Sequence, residues 1–170
     1  YELTPDREYL AIRNACALID VSPLFKYRVS GPDALAFLDR LVTRDLSKMA
    51  IGHMIYTPWC NAQGKVVDDG TIARLADTEY RLTAAESNLR WLVDNAPGFA
   101  VEIVEETDRL GALSLQGPTS RALLESLSGA DLSQLKYHRF THVDLCGTPT
   151  MVSRTGYTGD LGYEIWIEAE

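Results

Sequence analysis

Two stretches of the chain repeat one pattern of apolar and polar positions. Tyr27 to Leu41 reads Y-R-V-S-G-P-D-A-L-A-F-L-D-R-L, and Leu113 to Leu127, at a constant offset of 86, reads L-S-L-Q-G-P-T-S-R-A-L-L-E-S-L. Each begins with a short alternating run that predicts a strand, passes a Gly-Pro pair, and continues with apolar residues three and four apart, which predict a helix. Phe37, Leu38 and Leu41 fall on the same helical positions as Leu123, Leu124 and Leu127. The prolines are expected in the first helical turn, where a missing N–H goes unnoticed.

The pattern continues in step beyond these helices. After the first come strand-like runs at about 53 to 60, 65 to 75 and 79 to 85, broken by A-Q-G and A-D-T, and then a helical stretch near 87 to 96. After the second come runs near 137 to 145, 148 to 154 and 162 to 168, with Gly162-Tyr163-Glu164-Ile165 taking the place of Glu79-Tyr80-Arg81-Leu82. Ahead of both, Thr4-Pro5-Asp6 opens a helix to about Cys16, with Thr4 as N-cap. Antiparallel strands with interspersed helices predict an α+β domain over 1–170 built from pseudo-repeats at about 24–109 and 110–170. By the register of the repeat, a helix matching 87 to 96 would begin near residue 170, so the chain is expected to be a fragment of a longer protein.

Composition narrows the partners. Hydrophobic residues make up 46% and charged ones 24%, enough for a buried core, and no apolar run is long enough to span a bilayer. A formal net charge of -8, with no Lys/Arg cluster against it, argues against nucleic acid. Cys16, Cys60 and Cys146 are odd in number and widely spaced, which predicts free thiols in a reducing compartment and neither a disulfide nor a metal site. No signal peptide or basic presequence is visible at the start, and a cytoplasmic protein is expected.

Candidate chemistry concentrates late in the chain. Ser153 to Glu164 reads S-R-T-G-Y-T-G-D-L-G-Y-E, a turn with three glycines in seven positions. Glycine at that density lets a flat molecule approach the backbone, with Tyr157 and Tyr163 as stacking faces and Glu164 as a carboxylate. Earlier come Asp20-Val21-Ser22, the run Asn61 to Gly70 (N-A-Q-G-K-V-V-D-D-G) and Leu115-Gln116-Gly117-Pro118. These four motifs, in this order, resemble the aminomethyltransferase family: the T-protein of the glycine cleavage system and its tetrahydrofolate-dependent relatives, which include demethylases and the folate domains of sarcosine and dimethylglycine oxidases. Pro23 and Leu24 depart from that pattern where T-proteins usually carry His-Met, and Ala85 stands near a position where many carry Asn.

The resemblance implies two ferredoxin-like halves forming a folate-binding domain, with tetrahydrofolate as cofactor and a lipoyl carrier protein as a further partner. A pterin presents an amino group beside a ring N–H, a donor pair that a carboxylate accepts well. The resemblance gives that role to Glu164 and places Tyr157 in the pocket wall. A second carboxylate near the reacting N5 and N10 atoms would steer a proton and stabilise an iminium-like transition state. Neighbouring strand residues face opposite sides, so only one of Asp68 and Asp69 can serve, unless a bulge at Gly70 intervenes. The resemblance selects Asp69. Leu24, Tyr56 and Val67 are candidates for the apolar slot around the rings. Relatives that maintain iron-sulfur proteins carry a Cys in K-G-C-Y-x-G-Q-E, where this chain has Arg154-Thr155-Gly156-Tyr157-Thr158-Gly159-Asp160, so an enzyme is expected in preference to a non-enzymatic folate-binding or folate-sensing module.

Overall fold

The structure, a computed structural model, describes residues 4–169. Those residues form two units. The central unit runs from Pro23 to Asp108; the terminal unit holds the chain up to Ser22 and from Arg109 onward. The helix expected from about residue 170 lies outside the described residues.

The central unit begins with strand β2 (Phe25–Ser30), and helix α2 (Ala34–Leu41) follows. Three antiparallel strands come next, β3 (Met54–Cys60), β4 (Val66–Ala76) and β5 (Glu79–Ala84), then helix α3 (Leu89–Asn95) and strand β6 (Glu102–Glu105). They form one sheet in the order β3-β4-β5-β2-β6. Alternation decides the faces: Tyr27, Val29, Ile72, Tyr80 and Leu82 turn to one side and close a core with Phe37, Leu38 and Leu92 of the helices. Each such side chain contributes roughly 1.5 to 3 kcal/mol when fully buried.

The terminal unit contains helix α1 (Pro5–Asn14), strand β1 (Ala17–Asp20), strand β7 (Leu110–Gln116), helix α4 (Ser120–Ser128), and strands β8 (Phe140–Leu145), β9 (Thr148–Ser153) and β10 (Gly162–Glu168). Its sheet order is β1-β7-β10-β9-β8, and all its pairings are antiparallel. Leu115, Val152, Tyr163 and Ile165 pack with Leu124 and Leu132 in a second core. Read from the far edge, β8-β9-β10-β7-β1 repeats β3-β4-β5-β2-β6.

Some expectations need correction. The prolines of the two Gly-Pro pairs stand ahead of their helices. Gly31 accepts a bond from the Ala34 N–H and Gly117 one from the Ser120 N–H, both at 3.1 Å, so Pro32 and Pro118 sit at the second position of a turn that feeds each helix. Thr4 is the N-cap of α1, but its side chain makes no capping bond. The run predicted from 137 becomes strand only at Phe140, because His138 adopts a positive φ of 58°. Edge strands β1 and β6 were not anticipated.

Candidate functional site

The site candidates divide between the units. Leu24, Tyr56, Val67 and Asp69 belong to the central unit; Tyr157 and Glu164 belong to the terminal one.

Asp68 and Asp69 sit near the start of β4, opposite Trp59 and Pro58 of β3. Alternation sends them to opposite faces. Asp68 turns toward the helices, where its Oδ2 accepts from Asn88 Nδ2 at 2.6 Å; Asn88 in turn accepts from Trp59 Nε1 at 3.2 Å, and its N–H donates to the Tyr27 hydroxyl at 2.8 Å. Asp69 turns to the helix-free face and receives the Tyr56 hydroxyl proton in a hydrogen bond. The ladder does carry a bulge, but the register slips between Trp59 and Cys60, leaving Val67 as the extra residue, not Gly70. Gly70 answers a different need: a Cβ there would lie 2.0 Å from the Thr83 carbonyl oxygen on β5. Tyr56 is 46% exposed and Val67 is exposed on the bulge. Leu24 is half-buried, and its carbonyl accepts the buried Lys26 ammonium at 2.9 Å.

In the terminal unit, Glu164 lies mid-strand between Ser114 of β7 and Ser153 of β9. Thr155 Oγ1 donates to Glu164 Oε2 at 2.5 Å, Ser153 Oγ lies 2.7 Å from Thr155 Oγ1, and Trp166 Nε1 donates to Ser153 Oγ at 3.3 Å. With Thr155 committed to the carboxylate, the Ser153 proton can go to Thr155 at 2.7 Å or to the Glu164 backbone carbonyl at 3.5 Å, and the shorter contact is the stronger. The donors thus point one way, from the indole through two hydroxyls to Glu164. Burial pushes the Glu164 carboxyl above its ordinary value, and the hydroxyls of Thr155 and Ser153 pull it partly back.

The glycine turn works differently from the sequence reading. Gly159 alone of its three glycines has a positive φ, 76°. Gly156 and Gly162 are small because Gln116 fills the space: a Cβ on either would meet its side-chain amide at 2.0 and 1.9 Å. Gln116 is fully buried; its Nε2 donates to Ser114 Oγ at 2.9 Å and to the Thr155 carbonyl at 3.2 Å, and its Oε1 accepts from Thr158 Oγ1 at 3.0 Å. Tyr157, at the outer bend of the turn, is 100% exposed. A cavity of about 200 Å³ beside the turn is lined by Tyr137, Arg154, Thr155, Gly156, Asp160 and Leu161. Sequence reasoning missed Gln116, Thr155, Ser153 and Asn88. Gln116 had a signal: the repeat aligns it with the much smaller Ser30, while Gly162 takes the place of the larger Glu79.

The donor set is rich in oxygen and poor in metal ligands. Among the described residues no group of three or more His, Cys, Asp or Glu could hold a metal ion, and no helix is long and apolar enough to cross a membrane. Two carboxylates facing away from their units' helices can instead accept hydrogen bonds from a ligand or act on its protons.

The profile of one family, described as "GCVT N-terminal domain", matches residues 2–170. The chain belongs to this family. Among its relatives, the aminomethyltransferase of Halothermothrix orenii is 38% identical over 167 residues, covering 96% of this chain and 46% of that protein. The aminomethyltransferase of Caldanaerobacter subterraneus is 39% identical over 168 residues, with 96% and 45% covered. The chain therefore spans about half the length of the curated relatives it matches. Among solved structures, the glycine cleavage system aminomethyltransferase T from Bartonella henselae is similar at a TM-score of 0.83 and 28% identity, covering 95% of this chain and 44% of that one. A chain of the heterotetrameric sarcosine oxidase from Corynebacterium sp. U-96 shares the fold at a TM-score of 0.69 and 18% identity, with 96% and 82% covered.

Proposed function

We propose that this GCVT-family chain carries much of the folate site of a tetrahydrofolate-dependent one-carbon transferase of the aminomethyltransferase type. The supporting observation is Glu164: a half-buried carboxylate that accepts a hydrogen bond from the Thr155 hydroxyl and offers its remaining lone pairs to paired N–H donors such as those of a pterin. Tyr157 adds an aromatic face near the pterin, and Leu24, Tyr56 and Val67 contribute apolar surface.

Asp69 acts on the reaction itself. Held by the Tyr56 hydroxyl on the helix-free face of its sheet, it stabilises positive charge developing at N5 and N10 and steers the proton that moves there. With an aminomethyl donor on a lipoyl carrier protein, the carbon–sulfur and carbon–nitrogen bonds of the donor break, and the products are methylenetetrahydrofolate, ammonia and the carrier's free dihydrolipoyl thiol. Pro23 and Leu24 stand where T-proteins usually carry His-Met, and a second reading has a methyl group taken from another donor to give methyltetrahydrofolate. The reading places the protein in the cytoplasm. Calorimetry of tetrahydrofolate on the full-length protein and its Glu164→Gln variant tests the proposal, and equal affinity in the two would remove Glu164 from the site.

A further inference from the structure

Around Glu164 stands a set of buried polar groups that are hydrogen-bonded to one another and to the turn. Gln116 ties three segments together: Ser114 on its own strand, the Thr155 carbonyl at the start of the turn, and the Thr158 hydroxyl further along it. Thr155, its backbone so fixed, aims its hydroxyl at one oxygen of Glu164, and Ser153 with Trp166 behind it settles which way that hydroxyl points. A fully buried amide with all these bonds made costs little to keep, whereas a buried amide left unsatisfied is expensive. The two missing side chains at Gly156 and Gly162 are what let the amide in.

We propose that Thr155 is a positioning residue that orients the Glu164 carboxylate toward its ligand, and that Gln116 is the strut that holds Thr155 in place. The proposal rests on the folate reading for the identity of the ligand but not for the effect on Glu164. A hydroxyl donating to Oε2 favours the charged carboxylate and leaves Oε1, with the second lone pair of Oε2, for incoming N–H donors. Among the described residues, the titratable groups that share this face of the terminal sheet are Glu168 on β10 and His142 and Asp144 on β8, and none of them is hydrogen-bonded to Glu164. The flanking strand residues are Ser114 and Ser153; His142 shares the face but lies on β8, opposite Met151; Arg154 donates to the Leu135 carbonyl; and Asp160 pairs with Arg13.

The experiment compares Thr155→Val, which keeps the shape and loses the hydroxyl, with Thr155→Ser, which keeps the hydroxyl, in the full-length protein. Two quantities are read: the titration midpoint of the Glu164 carboxyl by carbon-13 NMR, and the dissociation constant for tetrahydrofolate as a function of pH. Thr155→Val is expected to move the Glu164 midpoint upward and weaken tetrahydrofolate binding on the order of 10-fold near neutral pH, the worth of one hydrogen bond to a charged group. Thr155→Ser should return both to within about 3-fold of the unaltered protein, since the bond is regained. Should Thr155→Val fail to fold, Ser153→Ala removes the next hydroxyl along the chain and should move the midpoint in the same direction by less. A variant that lowers the melting temperature yet leaves the Glu164 midpoint unchanged overturns the proposal, because a merely structural threonine would behave so. If the unaltered protein does not bind tetrahydrofolate, the folate reading fails by itself, and the carboxyl titration still decides the role of Thr155.

Discussion

Matching the two sheets strand by strand puts Arg81 of the central unit at the position of Glu164 in the terminal one. Arg28 pairs with Arg81 across β2 and β5, and Ser114, which is 86 residues beyond Arg28, pairs with Glu164 across β7 and β10. One step along, Ser30 and Glu79 correspond to Gln116 and Gly162. In the central unit these points hold an ion-pair group: Arg28 lies 3.1 Å and Arg81 3.4 Å from Glu106, and Arg28 lies 3.9 Å from Glu79. In the terminal unit the same points hold a neutral amide, hydroxyls and one carboxylate on which no cation sits among the described residues. The scaffold is common; the chemistry placed on it is not. An acid whose partners are all cations is already neutralised, while one held by hydroxyls keeps its charge available to a ligand.

The common part can be tested most severely at the Gly-Pro turns. Gly31 and Gly117 have φ of 127° and 134°, and a Cβ would lie 2.4 Å from the Ala100 carbonyl oxygen in one unit and 2.3 Å from that of Ala15 in the other. Those two carbonyls precede the edge strands β6 and β1, and each accepts the N–H two residues after its glycine, Asp33 at 3.4 Å and Thr119 at 3.0 Å. Alanine at either glycine meets both a forbidden backbone angle and backbone oxygen that cannot retreat, so each is expected to cost about 4 kcal/mol of stability. Chemical denaturation of Gly31→Ala and Gly117→Ala measures this, and a loss at only one of them would end the equivalence of the turns.

That equivalence explains which parts of the molecule were legible in sequence. Offset repetition and alternation located β2, α2, β7 and α4 and the long strands between them, because each buries one face and so must keep its period. The edge strands escaped notice for a physical reason: Ala17–Asp20 and Glu102–Glu105 are four residues long and pair on one side only, so their sequences need satisfy little. The glycine turn was legible as unusual but not in its cause, since only contact shows that Gly156 and Gly162 make room for Gln116. Asp68 and Asp69 were correctly sent to opposite faces by alternation, but their partners, Asn88 and Tyr56, lie on other elements and carry no local signal.

Those two aspartates test the other half of the comparison, that available carboxylates do the chemistry. Under the proposed function, Asp69→Asn is expected to lower kcat by roughly 10²- to 10³-fold with little change in folate affinity, since the role proposed for it is on charge that develops during reaction. Asp68→Asn should leave kcat nearly intact and instead lose about 1 kcal/mol of stability with its bond to Asn88. Steady-state kinetics on both variants of the full-length protein decides this, and a larger kcat loss at Asp68 would reverse the assignment of faces.

Glu164→Gln keeps the shape, removes the charge and turns one acceptor into a donor. Tetrahydrofolate affinity is expected to fall by on the order of 30- to 150-fold, about 2 to 3 kcal/mol. Arg81→Gln, at the equivalent point of the central sheet, should leave that affinity within about 2-fold by calorimetry, since there the carboxylate is Glu106 and it retains Arg28. Equal losses at the two positions would mean that the sheets do not divide the work.

The smallest effect is one of pH, and its sign separates stability from binding. The Glu164 carboxyl is raised above 4.5 chiefly by burial. Between that value and its raised one the folded protein holds more protons than the unfolded chain, so this group's contribution to stability is full below about 4.5 and is lost as pH rises through the folded value. Asp45 and Asp131 have lowered values, and their contribution is present above 3.8 and lost as pH falls, in a separate window. Under the proposed function, ligand affinity should run the other way from stability across the Glu164 window, strengthening as the carboxylate forms, because N–H donors bind the charged form more strongly. Denaturation and calorimetry at a series of pH values should therefore give slopes of opposite sign above 4.5, both flattened in Glu164→Gln; slopes of the same sign would show that the carboxyl titrating there is not the one that meets the ligand.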